Sequence, residues 1–183
     1  IGVIMGEYFD ELKRSMTWLG EQPDTIFIGQ AVGYPGTAMT NTLGDVDKSK
    51  LLEMPVSEEF QMGITCGLAV RGKVPISIYP RWNFLLCAVN QLVNHLNCLD
   101  LYSHGEYKPK AIIRTGIGSI RPLNPQHQHT GDFTKEFESM LPNLCVERLD
   151  NPEDIFPAYQ KAYLRTDNKP TLLIEWGDYY GEK

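Results

Sequence analysis

Short apolar segments alternate with longer amphipathic segments along this chain, and the alternation predicts its secondary structure. Runs such as Thr25-Ile26-Phe27-Ile28 and Thr171-Leu172-Leu173-Ile174 have the length and the β-branched content of buried strands. The segments between such runs place apolar residues at helical spacing. Strands are predicted at Thr25–Gly29, Val74–Tyr79, Ala111–Thr115, Cys145–Leu149 and Thr171–Glu175, and helices at about 6–20, from Trp82 to about Asp100, at about 134–140 and from Pro152 to about Arg165.

This order of elements predicts an α/β fold, with three layers, a mostly parallel sheet and helices on both faces. The 183 residues are expected to form one domain, residues 1–183. In such sheets ligands bind beyond the carboxyl ends of the strands. The loops at that edge are 30–54, 80–84 and 116–132, and two of them are long enough to indicate function or mobility.

A further helix is predicted after Pro55, with Ser57 as its N-cap and Arg71-Gly72 as its end. Its first turn contains Glu58 and Glu59. Glu58 is either an acid that complements the helix dipole or a buried carboxylate directed at a ligand. Gly63 and Gly67 lie four residues apart, and this spacing predicts close packing against another backbone.

Composition excludes several classes of partner. The formal net charge is −6 and no Lys/Arg cluster stands out, so nucleic acid is not expected. There is no apolar run long enough to span a bilayer, and the first residues lack the flanks of a secretory signal. The four cysteines, which form no Cys-x-x-Cys pair, are predicted to be reduced core residues, and a cytoplasmic location is expected.

The loop at 116–132 contains several possible motifs. Gly116-Ile117-Gly118 lacks a third glycine and is predicted to be a turn, not a dinucleotide fingerprint. His127 and His129 lack a partner with zinc-ligand spacing, so they are interpreted as proton-transfer or surface residues. No Gly-x-Ser-x-Gly elbow accompanies them, which argues against a hydrolase triad. Cys66 and Cys98 lie within predicted helices, without the electropositive setting of a thiol nucleophile.

Aromatic residues lie where the strand ending at Tyr79 passes into the next helix. Trp82 and Phe84 could stack on a planar heterocycle at this edge of the sheet, or they could belong to the core. The residues alone leave both possibilities open.

Taken in order, these segments resemble the pyrimidine-binding domain of thiamine diphosphate-dependent enzymes. The similarity is to the transketolase group, and within it to the beta subunits of the decarboxylating components of 2-oxo acid dehydrogenases. Each matching segment is short, but their collinear order covers most of the chain. The segments are Ile28-Gly29-Gln30-Ala31-Val32, Met54-Pro55-Val56-Ser57-Glu58, Gly63-Ile64, Gly67, Tyr79 to Phe84, Ala88 to Asn94, Arg114-Thr115-Gly116, Gln126-His127 and Asp150 to Asp154.

The resemblance implies roles for several residues. Glu58 matches the glutamate that hydrogen-bonds N1′ of the cofactor's aminopyrimidine ring, and sharing a proton there activates the cofactor. Phe84 matches the aromatic residue that stacks on this ring. Pro80, Trp82 and Gln30 are the remaining cofactor-binding candidates at this edge.

The resemblance also implies a histidine that handles protons on the substrate or an intermediate. His127 matches this residue, and His129 is the competing candidate two positions later. Glu59 is expected to face solvent or a subunit contact. None of these residues is expected to bind a metal.

The chain also departs from the family pattern. Gln30-Ala31 replaces the usual Glu-Glu pair, and Pro80 replaces an apolar Met. Both the carboxyl-terminal domain and the diphosphate motif, Gly-Asp-Gly followed by Asn, are expected to be absent. The resemblance therefore implies a diphosphate-binding, alpha-like partner subunit that holds Mg²⁺, in a heterotetramer.

The leading hypothesis is a pyrimidine-binding subunit of a two-chain thiamine diphosphate enzyme. It would act on a 2-oxo acid or a ketose as a decarboxylase or a transferase of the ketol or acyl fragment. The alternative is a non-catalytic scaffold subunit with a degenerate pyrimidine-domain fold. A flavodoxin-like small-molecule binder is a third possibility, which the helix-first order makes less natural.

Overall fold

The computed structural model describes residues 2–34, 36–120 and 124–180. Its centre is a six-stranded sheet with the order β2-β1-β3-β4-β6-β5, in which every neighbouring pair is parallel. The strands are β1 Thr25–Gly29, β2 Leu51–Glu53, β3 Val74–Tyr79, β4 Ile112–Ile117, β5 Cys145–Arg148 and β6 Thr171–Trp176. The predicted parallel sheet is confirmed.

Helices cover both faces of this sheet. They are α1 Gly2–Gly20, α2 Ala38–Asn41, α3 Glu58–Val70, α4 Trp82–Leu86, α5 Leu99–Tyr102, α6 Thr134–Met140 and α7 Pro152–Leu164. Short 3₁₀ turns lie at Lys48–Lys50 and Gly177–Tyr180, and a π-helical segment at Gln91–Leu96.

Successive residues of the central strands belong to two separate hydrophobic cores, one on each face of the sheet. Ile112 and Leu173 belong to the core under α1 and α7, whereas Ile113 and Leu172 belong to the core on the opposite face. Successive strand residues point to opposite faces, so a strand buried on both sides is mostly apolar. The predicted three-layer architecture is confirmed.

The long helix predicted from Trp82 to about Asp100 is wrong as a single α-helix, because α4, the π-helical segment and α5 divide it. Asn97 lies at the second break and is only 6% exposed. Its backbone N–H donates to the carbonyl of Leu92, five residues earlier, and its side-chain oxygen accepts a hydrogen bond from Asn143 N. These bonds fix a wider turn than an α-helix allows.

The segment 31–54, predicted to be a loop, contains α2 and the edge strand β2. Gly116-Ile117 is not the predicted turn, because both residues complete β4 opposite Glu175 and Trp176 of β6. Hydrogen-bonded pairing with a neighbouring strand fixes both β2 and the end of β4. Local sequence does not predict such pairing.

The predicted close packing of the α3 glycines is wrong among the described residues. A Cβ atom at Gly67 would meet nothing within 4 Å, and one at Gly63 would meet only Gln91 Oε1, at 4.0 Å. The reason is that α3 packs on the sheet through another face, which includes Gln61 and Met62.

The cysteines are free thiols, as predicted, but none of them is fully buried, and of the predicted core positions Cys66 packs against a core cluster. Cys87 is exposed, and Cys66, Cys98 and Cys145 are partly buried. Burial raises the pKa of the Cys66 thiol to about 11, so it stays protonated at neutral pH.

Candidate functional site

A cavity of about 880 Å³ opens at the carboxyl edge of the sheet, where β1, β3 and β4 end. This is the edge at which parallel sheets bind ligands. Its polar lining includes Gln30, Glu58, Gln61, Arg81 and Ser119. Gln30 follows β1, Glu58 begins α3 and Arg81 follows β3, so only the folded chain brings these three residues together.

Glu58 begins α3 and lies partly buried in the wall of this cavity. Gln30 Nε2, at the end of β1, donates a hydrogen bond of 3.0 Å to Glu58 Oε1. The Tyr79 hydroxyl donates to the Glu58 backbone carbonyl at 3.3 Å. Ser57 occupies the predicted N-cap position, but its side chain makes no capping bond. The Glu58 side chain is therefore held by a neighbouring strand.

A buried polar network supports this end of α3. Gln61 is 1% exposed, and its Nε2 donates to the carbonyls of Ile28 and Ile78 and to Ser77 Oγ, at 3.0–3.3 Å. Thr65 Oγ1 bonds Ser77 Oγ at 2.9 Å. The network ties α3 to β1 and β3 one turn after Glu58. Gln61 is not among the predicted site residues, although a glutamine on the apolar face of a helix indicates a buried hydrogen-bonding role.

The turn that presents Gln30 has an unusual backbone. Ala31 has a φ of 54°, a left-handed conformation that residues other than glycine rarely adopt. The Glu53 carboxylate accepts hydrogen bonds from Ala31 N at 2.6 Å and Gly33 N at 2.8 Å. Glu53, at the end of β2, therefore stabilises the turn beside Glu58. Observed strain of this kind clusters at functional sites.

The two aromatic candidates have different environments. Phe84 lines the cavity together with Pro80. Trp82 is 1% exposed and does not line the cavity. Its ring packs on Phe137 at 4.6 Å and on Phe133 at 6.1 Å, centroid to centroid. Trp82 is therefore a core residue, which was one of the two possibilities left open by the sequence. It and Phe84 lie on different sides of α4, because residues two apart in a helix point in different directions.

The two histidines also have different environments. His129 is partly buried, with its ring 5.0 Å from that of Phe84 and inclined to it by 33°. Its Nδ1 is buried and has no hydrogen-bond partner among the described residues. Burial and the charge of Arg81 lower the pKa of His129. His127 is exposed. Of the two, only His129 packs on a residue that lines the cavity, Phe84.

Gly118 sets the position of His129. A Cβ atom at this residue would collide with the His129 carbonyl oxygen and lie 2.8 Å from Thr130 Cα. We therefore expect Gly118→Ala to displace the His129 ring from Phe84, and the ring-current shift of the His129 imidazole protons, measured by NMR, to disappear. Gly67→Ala is the matched control, because a Cβ atom there meets nothing within 4 Å. Unchanged His129 shifts in Gly118→Ala would contradict this geometry.

Glu59 differs from its neighbour Glu58. It is exposed, and Oε1 accepts hydrogen bonds from Asn90 at 2.7 Å and Gln91 at 3.4 Å. These bonds lower the pKa of Glu59. The two adjacent carboxylates therefore face different environments, one in the cavity wall and one outside it.

Within residues 2–34, 36–120 and 124–180, no three His, Cys, Asp or Glu side chains converge as a metal site requires. None of the described helices is long and apolar enough to cross a lipid bilayer.

A parallel sheet between two layers of helices, with a carboxylate and an aromatic ring in a cavity at its strand ends, is typical of α/β domains that bind small molecules. The family model "Transketolase, pyrimidine binding domain" matches residues 13–176. The chain belongs to this family.

Curated relatives include pyruvate dehydrogenase E1 beta subunits. The chloroplastic beta-3 subunit of Oryza sativa subsp. japonica is 28% identical over 171 residues, which are 91% of this chain and 42% of that protein. The beta subunit of Chaetosphaeridium globosum is 30% identical over 156 residues, 84% of this chain and 46% of that protein. The chain thus spans about half the length of these relatives.

Solved structures share the fold. One is described as a split gene transketolase, inactive beta4 tetramer; it has a TM-score of 0.62 and 15% identity over 91% of this chain and 50% of its own. A thiamine diphosphate-dependent 4-hydroxybenzoylformate decarboxylase from Rhodococcus jostii RHA1 has a TM-score of 0.65 and 12% identity over 92% of this chain and 30% of its own.

Proposed function

We propose that this chain is the pyrimidine-binding part of a thiamine diphosphate-dependent enzyme that acts on a 2-oxo acid or a ketose. The observation that carries the proposal is the Glu58 carboxylate, which lies in the cavity wall and is oriented by Gln30. Membership of the pyrimidine binding domain family supports it. The relatives' names supply the enzyme class, decarboxylation or transfer at a carbonyl.

The residues present fit an aminopyrimidine ring. Such a ring needs a flat apolar wall and a hydrogen-bonding carboxylate, and the cavity offers Phe84 and Pro80 beside Glu58. Among the described residues only Gln30 donates to the Glu58 carboxylate, which leaves its second oxygen for a ligand. A volume of about 880 Å³ is ample for a ring and a small substrate.

Each side chain then has a separate task. Thiamine diphosphate supplies the carbon nucleophile and the electron sink for cleavage beside a carbonyl. Glu58 shares a proton with a ring nitrogen of the pyrimidine, and Gln30 holds the carboxylate in position. His129 or His127 transfers protons to the substrate, and the unpartnered Nδ1 of His129 supports the first of these.

We further propose a partner chain that holds the diphosphate and Mg²⁺, with the two chains as a heterotetramer. Exposed apolar residues beside Glu58 support an interface with such a partner chain, since Val56 is 83% exposed and Phe60 54% exposed. The four free thiols support a reducing compartment such as the cytoplasm.

Calorimetric titration of thiamine diphosphate with Mg²⁺ tests the proposal. The chain is titrated alone and then mixed with the product of a neighbouring gene that encodes a diphosphate-binding domain. We expect heat of binding only in the mixture, because the pyrimidine site and the diphosphate site would lie on different chains. Binding in neither sample would contradict the proposal and favour the non-catalytic scaffold.

A further inference from the structure

Arg81 is a charged residue in the cavity lining. The proposed cofactor chemistry assigns no task to Arg81. It follows β3 and precedes α4, and its partly buried side chain lines the cavity. Its Nη1 donates a hydrogen bond of 3.3 Å to the Ser119 carbonyl, beyond the end of β4. The guanidinium therefore reaches from one strand end toward the next at the carboxyl edge.

The electrostatic setting of Arg81 differs from that of the other described arginines. Arg14, Arg114, Arg148 and Arg165 each lie within 3.2 Å of a carboxylate oxygen. Arg71 also has no carboxylate within 4 Å among the described residues, but it is exposed to water. Arg81 is partly buried, and no carboxylate of the described residues lies within 4 Å of it. A partly desolvated cation of this kind favours an anionic ligand.

The unused donors of Arg81 suit such a ligand. A guanidinium has five N–H groups in a planar fork, and the Ser119 carbonyl takes one of them on Nη1. The edge formed by Nε and Nη2 makes no hydrogen bond with the described residues. This edge can bind two oxygens of one carboxylate or phosphate at once.

The residues around Arg81 place its Nε–Nη2 edge within the candidate site. Phe84 lies one helical turn after Arg81, and its backbone N–H donates to the Arg81 carbonyl at 3.0 Å. His129, whose ring packs on Phe84, lies close enough that the charge of Arg81 lowers its pKa. An anion held by Arg81 would therefore lie beside the proposed pyrimidine wall.

We propose that Arg81 binds the anionic group of the substrate and so selects for substrates that carry a carboxylate or a phosphate. This inference rests on the proposed function, because it names the substrate group recognised at the same site. A charge-assisted bidentate bond would discriminate against neutral carbonyl compounds of the same size.

The test is an NMR titration of the Arg81 Nε–Hε signal in ¹⁵N-labelled chain, alone and mixed with the partner chain. The probes are pyruvate, inorganic phosphate and neutral hydroxyacetone. We expect a saturable shift with an anion and none with hydroxyacetone. Arg81→Gln should weaken anion binding, measured on the surrounding amide signals, about tenfold or more. Arg71→Gln is the matched control and should leave the affinity unchanged.

The outcomes separate the possible sources of the anion. Saturable binding of pyruvate supports a 2-oxo acid, and binding of phosphate without pyruvate supports a phosphorylated ketose. Binding of neither anion, or anion binding that Arg81→Gln leaves unchanged, overturns the inference. The cofactor titration is independent, so cofactor binding without an anion effect leaves the proposed function standing and removes only the role of Arg81.

Discussion

Glu58→Gln is expected to lower the turnover of the assembled enzyme by at least about a hundredfold. Glutamine keeps the shape of the side chain, and its oxygen still accepts the hydrogen bond from Gln30. It cannot accept or return a proton, however, and positioned proton transfer contributes about 10²- to 10⁴-fold to rates. The measurement is kcat with the partner chain, Mg²⁺ and thiamine diphosphate, on a screened series of 2-oxo acids and ketoses.

Glu59→Gln is the matched control, because Glu59 is the next residue of the same helical turn and lies outside the cavity. This variant should keep full activity. Circular dichroism and urea unfolding of both variants will show whether the fold is retained. A Glu58→Gln enzyme that keeps more than about a tenth of the activity would rule out the proposed proton-sharing role.

The second large effect is expected on stability, at the fully buried ion pair between Arg114 of β4 and Glu175 of β6. Both side chains are 0% exposed. The pair is bidentate, with Nε–Oε1 at 2.6 Å and Nη2–Oε2 at 2.9 Å. Thr42 Oγ1 accepts a further hydrogen bond from Arg114 Nη1 at 3.2 Å, and the hydroxyls of Tyr159 and Tyr180 donate to Glu175.

Arg114→Met should lower the free energy of unfolding by about 3–5 kcal/mol, because it leaves the Glu175 charge buried without its cation. Urea unfolding measures this change. Replacing both partners with apolar residues, as Arg114→Met with Glu175→Leu, should recover part of the loss. No uncompensated charge remains, but the buried Tyr159 and Tyr180 hydroxyls lose the acceptor that Glu175 provides. This double variant also separates loss of the pair from loss of the fold.

Lys161→Met provides the comparison at the surface. Lys161 lies 3.6 Å from Glu147, and its side chain is 67% exposed. Exposed pairs of this kind contribute about 0–1 kcal/mol. If Arg114→Met costs no more than Lys161→Met, the buried pair does not hold β4 to β6 in the way we describe.

Features that depend on local pattern could be predicted from the sequence. Strand β3 is apolar except at Ser77 because it is buried on both faces, and α3 begins at Glu58, directly after the Ser57 that was predicted as its N-cap. The secondary-structure and packing predictions are wrong where tertiary contacts override local sequence preference. The helix after Trp82 is divided around Asn97, whose side chain bonds another segment of the chain. The α3 glycines point away from the sheet, which spacing alone could not reveal.

By itself, therefore, the sequence determined the class of fold, the position of Glu58 at a helix start and the resemblance that the family match confirms. Only the tertiary structure decided which side chains meet. Gln30 and Glu58 are 28 residues apart, and Arg114 and Glu175 are 61 apart. It also separated the buried Trp82 from Phe84 and packed the His129 ring against Phe84. The physical reason is that strand order and side-chain burial depend on contacts distant in sequence, whereas periodicity reports only local conformation.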